Sequence, residues 1–129
     1  MITPQVKQAI TEIEIALPDC RLTVREDGEG GACVVVENLP LGTPYHQDTT
    51  WMGFHITFPY PSSDVYPHFV RGDLTRVDGK PLGEAISPGN TFEGRLAAQI
   101  SRKSNRLNPM TDTALHKLLK VLEWLKTRP

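Results

Sequence analysis

Cysteine is scarce in this chain: Cys20 and Cys33 are the only two in 129 residues. They form no CxxC pair, so neither a thiolate zinc site nor a CxxC redox motif is available. Both fall in segments that read as strands able to face each other, which makes one bridge geometrically conceivable. In a chain of this size with no signal-like start, two reduced, packed thiols are the expectation. A charge excess of one sign is also lacking. Fourteen Lys and Arg stand against 15 Asp and Glu, a formal net charge of −1, which leaves no overall footprint for nucleic acid or an anionic membrane. Runs of roughly 18 apolar residues, the length a membrane span requires, do not occur, nor does a basic region followed by an apolar stretch at the amino terminus. A cytoplasmic protein with neither a membrane nor a nucleic-acid partner is expected.

Several chemical signatures are missing too. His46, His55, His68 and His116 have no metal-type spacing, and no glycine-rich phosphate loop, Ser-His-Asp ordering or pocket-like carboxylate pair is recognisable. No metal and no cofactor are expected. With 39% hydrophobic residues and no internal repeat, residues 1–129 read as one domain with one core.

What is present is an ordered set of periodic segments. Thr3 and Pro4 open a helix, and Val6, Ala9, Ile10, Ile13, Ala16 and Leu17 share one face of it before Pro18 ends it. Cys20, Leu22 and Val24 alternate as a half-exposed strand. The turn Asp27-Gly28-Glu29-Gly30-Gly31 leads into the apolar strand Ala32 to Val36, making a hairpin. Asn38 to Thr50 reads as a loop. In Trp51 to Phe58 the residues Met52, Phe54, Ile56 and Phe58 alternate with Trp51, Gly53, His55 and Thr57, which predicts a strand with one buried face. Pro59, Pro61 and Pro67 then stop the ladder, because proline has no amide donor.

Phe69 to Val77 is a plausible fourth strand, closed by Asp78-Gly79. Lys80 to Thr91 holds two prolines and two glycines, lacks a period and reads as a long irregular segment, a type that is often a functional surface. Phe92 to Ile100 fits either a short helix or a strand. After the polar stretch Ser101 to Pro109, Thr111 or Asp112 can cap a helix striped by Leu115, Leu118, Leu119, Leu122 and Leu125. The expected fold is α+β: an amino-terminal helix, a four-stranded antiparallel meander, an irregular segment and a carboxy-terminal helix, with the helices covering the sheet.

That order, with Phe58-Pro59-Tyr60-Pro61 and Tyr66-Pro67-His68-Phe69 after the third strand, resembles the ubiquitin-conjugating-enzyme (UBC) fold and its non-catalytic relatives, the RWD domains. The segment is similar to that family's Tyr-Pro-x-x-x-Pro-x-x-Phe stretch, and Gly79 falls where the family has the glycine of its turn before the catalytic cysteine. The resemblance spans nearly the whole chain as topology and about a dozen residues as sequence, and it points to a divergent bacterial branch. It implies partners such as a ubiquitin-like modifier, its activating enzyme or another conjugation component of a bacterial pathway, with phage defence as one setting. Tyr60, Pro61, Tyr66, Pro67 and His68 are then candidate binding residues.

The departures bear on activity. The family places its thiol a few residues after that glycine, preceded by a His-Pro-Asn tripeptide. Arg71 to Glu84 contains neither, and Leu82 cannot form a thioester. Three substitutes remain as candidate nucleophiles. Cys33 is expected inside an apolar strand, where burial raises a thiol's pKa and blocks access. Cys20 begins a strand far in sequence from the irregular segment. Ser87 lies within that segment but needs a base, for which only His55 and His68 can be nominated. The expectation is a non-catalytic adaptor or scaffold. An active conjugating enzyme with an unusual nucleophile, and an unrelated α+β interaction module such as a secretion-chaperone-like dimer, are the alternatives.

One cluster points to binding without any resemblance. Ser101-Arg102-Lys103-Ser104-Asn105-Arg106 sets three cations among serines and an asparagine, a composition that holds phosphate or carboxylate through charge-assisted hydrogen bonds. Arg102, Lys103, Asn105 and Arg106 are its candidate residues, against the alternative of a solvated loop before a helix. Basic residues outnumber acidic ones from Phe92 onward, so this end of the chain suits an acidic partner. Trp51 and Trp124 are candidate partner anchors, or core residues at an element's edge.

Overall fold

The computed structural model describes residues 1–104 and 106–129. Two helices, α1 (Pro4–Ala16) and α2 (Ala114–Lys126), accompany six strands: β1 (Leu22–Glu26), β2 (Ala32–Pro40), β3 (Thr49–Ile56), β4 (His68–Arg71), β5 (Ile86–Phe92) and β6 (Arg95–Ile100). All pair antiparallel in one sheet of order β1-β2-β3-β4-β6-β5. The fold is therefore α+β, with six strands where four were expected. The order of the meander β1 to β4 is as read, but β2 runs on to Pro40 and β3 starts at Thr49, both inside the stretch read as a loop. β3 ends at Ile56 and leaves Phe58 exposed, and the fourth strand stops at Arg71 instead of Val77.

The supposedly irregular stretch supplies β5, and Phe92 to Ile100 is strand. Pro88 and Gly89 sit at an interruption of register between Ser87 and Asn90, and β5 is the terminal strand of the sheet. An edge position and a bulge are both places where a sheet tolerates proline. The tight turn Glu93-Gly94, with φ of 48° and 77°, joins β5 to β6. Positive φ at both central residues is what a twisted two-residue hairpin needs.

Each helix begins on a threonine. Thr3 accepts from the Val6 amide at 3.1 Å and Thr113 from the His116 amide at 3.1 Å, so the second cap lies one residue beyond Asp112. Val6, Ala9, Ile10 and Ile13 of α1 and Leu118, Val121, Leu122 and Leu125 of α2 are buried in one cluster with the inner face of the sheet. Register places Val24, Val34, Phe54, His68, Ile100 and Ile86 in a single row across that face. A histidine thus occupies the middle of an otherwise hydrophobic row.

The outer face is covered as well. The β5–β6 hairpin tip lies across it, with Phe92 seated over Gly53 and its ring 4.8 Å from the Phe69 ring. Glu93 binds Arg25 of β1 at 2.6 Å, Arg95 pairs with Glu37 of β2, and Arg95 stands 5.3 Å from the Trp51 ring. Cys33 and Val35 are buried beneath this cover, which explains why β2 is apolar on both sides.

Candidate binding groove

The loop between β3 and β4 acts first as a bracket for α2. Tyr60 is buried, and its hydroxyl accepts from the Ala114 amide at 3.0 Å, satisfying one of the donors left free in a helix's first turn. Val65 is buried, while Pro61, Tyr66 and Pro67 are half-buried. His68 points into the core, and neither ring nitrogen has a hydrogen-bond partner among the described residues. The candidate residues of this loop therefore divide: Tyr60 and His68 face inward, and only Pro61, Tyr66 and Pro67 present surface. Tyr60→Phe is expected to lose about 1–2 kcal/mol of stability, since it strands a buried amide; the shift of a urea unfolding midpoint measures it.

From the same loop Asp64 reaches the segment after β6. It accepts from the Ser104 amide at 2.8 Å, from the Ser104 hydroxyl at 2.9 Å and from Lys117 Nζ at 3.1 Å. Burial pushes the Asp64 carboxyl upward, but the Ser104 amide and hydroxyl and the Lys117 ammonium outweigh it and hold the group below its ordinary value. Lys117 also donates to Ser104 Oγ at 2.9 Å. The Ser104 hydroxyl, donating to Asp64 and accepting from Lys117, fixes the segment after β6 in place.

This anchor sets the basic segment against α2 and leaves a groove of about 480 Å³ between them. Arg102, Lys103 and Arg106 line one side, and Lys117, Lys120 and Trp124 the other. Arg102 stands 5.0 Å and Arg128 4.4 Å from the centre of the Trp124 ring, and Lys103 lies 5.2 Å from that of Tyr66. Asn105, the remaining candidate of this cluster, lies outside the described residues. Lys120 and Trp124 join the site although the cluster itself does not contain them. Their signal is a stripe, since positions 117, 120 and 124 fall on one side of a helix.

Arg25, Arg71, Arg76 and Arg95 are each paired with a carboxylate. Among the described residues Arg102, Lys103, Arg106 and Lys120 have no such partner within 4.0 Å. Cations without a carboxylate partner also occur at Lys7, Arg21, Lys80, Lys126 and Arg128 among the described residues, but here four of them gather on one groove. Unneutralised cations gathered on one groove form a ready anion site.

The candidate nucleophiles lie apart from it. Cys20 does not begin the strand, as expected from the sequence, but lies half-buried in the turn before β1, and burial, helped by Asp19, raises its thiol pKa. Cys33 is buried on β2; burial and then Glu93 raise its pKa, and Arg25 only partly opposes them. Cys33 faces His55 across the β2–β3 ladder. His55 bonds Asp27 at 2.6 Å, and that bond, followed by the Glu29 amide, lowers the Asp27 carboxyl to about 2. Ser87 is exposed on β5 opposite Gln99, and its hydroxyl bonds neither His55 nor His68. Leu82 packs partly against the core.

Among the described residues no three His, Cys, Asp or Glu side chains are grouped to hold a metal ion, and no helix is long and apolar enough to cross a membrane. Comparison with protein families, curated proteins and solved structures finds no match to this chain.

Proposed function

We propose that this chain is a non-catalytic binding domain of the UBC/RWD type, an adaptor or scaffold for a component of a bacterial ubiquitin-like conjugation pathway such as one serving phage defence. The observation that carries the reading is the groove itself: among the described residues four cations without acid partners line it together with Trp124, and no reactive thiol lies there. A thioester carrier needs an accessible thiolate at neutral pH, whereas both thiols here are raised in pKa and one is buried. The relation to the UBC/RWD type is supported by the helix that precedes a sequential meander β1 to β4, by the Tyr60-to-Pro67 bracket, and by a last helix on the same face. The added β5–β6 hairpin is this chain's own departure from that plan.

The test is calorimetry of the purified chain against the ubiquitin-like modifier and its activating enzyme. At low salt a reversible complex with at least one of them is expected, weakening steeply between 50 and 300 mM salt because the contacts are charge pairs. No affinity for any conjugation component at low salt overturns the proposal.

A further inference from the structure

Lys117, Lys120 and Trp124 run along one side of α2, a stripe about 10 Å long at about 1.5 Å per residue. Arg102, Lys103 and Arg106 face it from the segment after β6. The positive groups are therefore strung along a groove instead of converging on a point. Two carboxylates, Asp112 in the lining and the neighbouring Asp64, stand beside them. The Ser104 amide, which a phosphate would use, is already taken by Asp64. A single compact dianion finds no focus of donors here.

The aromatic rings argue in the same direction. Trp124 carries Arg102 and Arg128, and Tyr66 carries Lys103, so the rings are occupied by cations rather than free to stack on nucleobases. A guanidinium held over an indole keeps its N–H edge for a planar, bidentate acceptor, which a carboxylate is. An extended peptide rises about 3.3 Å per residue and turns alternate side chains the same way. Three residues span the groove, and residues i and i+2 turn their side chains the same way, into the groove between its two walls.

Resting on the binding reading above, we infer that the groove receives an extended acidic peptide segment with carboxylates on alternate residues. The partner is thus a protein carrying an exposed acid-x-acid strand or tail, with Arg102 and Lys120 holding successive carboxylates from opposite walls.

The full chain with Trp51→Phe leaves Trp124 as the only indole and so as a fluorescence reporter. Titration with an acetylated Gly-Glu-Gly-Glu-Gly peptide is expected to give a saturable change, at least tenfold weaker when both acids are glutamine. Arg102→Gln with Lys120→Gln is expected to weaken it at least tenfold while the far-ultraviolet circular dichroism stays unchanged. Inorganic phosphate or a single-stranded oligonucleotide binding as tightly, an affinity indifferent to the two substitutions, or no peptide binding at all overturns the inference. The same double variant separates it from the broader reading. If a conjugation component still binds the variant with undiminished affinity, the groove assignment fails and the adaptor function stands. If the peptide binds as expected but no conjugation component does, the conjugation reading fails and the ligand class stands.

Discussion

Gly53→Val is expected to lower stability by about 2–4 kcal/mol, because a side chain there collides with the hairpin tip that covers the outer face. A Cβ on Gly53 would lie 2.5 Å from Phe92 Cδ2, 2.6 Å from Phe92 Cε2 and 3.1 Å from Trp51 Cζ3. Valine is the better strand former, a gain of at most about 1 kcal/mol, and overlap with a ring packed between Phe69 and Trp51 outweighs it. Relief requires lifting the tip, which breaks the Arg25–Glu93 and Arg95–Glu37 pairs and uncovers Cys33. Two measurements follow the event together: the urea midpoint falls, and the rate at which Cys33 reacts with a thiol reagent rises. An unchanged midpoint with a protected thiol means that Phe92 does not seal this face.

His68→Leu is expected to do the reverse. The side chain is fully buried in the row between Phe54 and Ile100, its ring 5.3 Å from that of Phe54, with both nitrogens unpaired among the described residues. A buried polar group without a partner costs about 1–3 kcal/mol, and a leucine of similar volume removes the cost. The substitution also acts on pH dependence. Burial, assisted by the nearby Lys117 charge, lowers the His68 pKa to about 3 from an ordinary 6.5. Below pH 6.5 the unfolded chain therefore takes up a proton that the native chain refuses, and the native state loses up to about 1.4 kcal/mol per pH unit. That loss begins above the carboxylate range, so unfolding midpoints between pH 6.5 and 4.5 isolate it. The parent is expected to weaken across this interval, and His68→Leu to be more stable at neutral pH with a flatter profile. Equal slopes, or a destabilised variant, would mean that the ring is satisfied in solution.

The same two residues show where the sequence was legible and where it was not. The helices could be read because their signals are local: Thr3 with Pro4, and the leucine spacing of α2. The meander followed from period-two alternation in residues 51–58. Parity in β4 could not be read this way, since Phe69 looks like the core residue and His68 the surface one, whereas His68 and Val70 point inward and Phe69 lies under Phe92. Alternation loses its meaning when both faces of a sheet are covered. The extra hairpin was hidden for a related reason. Pro88 and the glycines around it read as breakers, and only the sheet's edge makes them compatible with a strand.

The groove was legible in half. The cations of residues 102–106 stand out by composition, and the basic excess of the chain's last third pointed to an acidic partner. Asp64, which anchors Ser104 from 40 positions away, carries no such mark, because its role exists only once the loop after β3 meets the segment after β6. Lys120 and Trp124 needed the helix to be oriented before they could join the same wall. Nucleophile placement was readable in part: Cys33 is buried as expected from its strand, while its neighbour His55 and the covering Arg25 arise from register alone.

The most direct measurement of the central claim is the intact mass of the chain, without reductant, after incubation with ubiquitin-like modifier, activating enzyme and ATP. The claim that this domain docks its partners and does not carry them predicts the unmodified mass, recovered from a complex that high salt dissolves. A mass increased by one modifier, discharged by a reducing thiol and lost in Cys20→Ser or Cys33→Ser, would contradict it and make the chain a transferase.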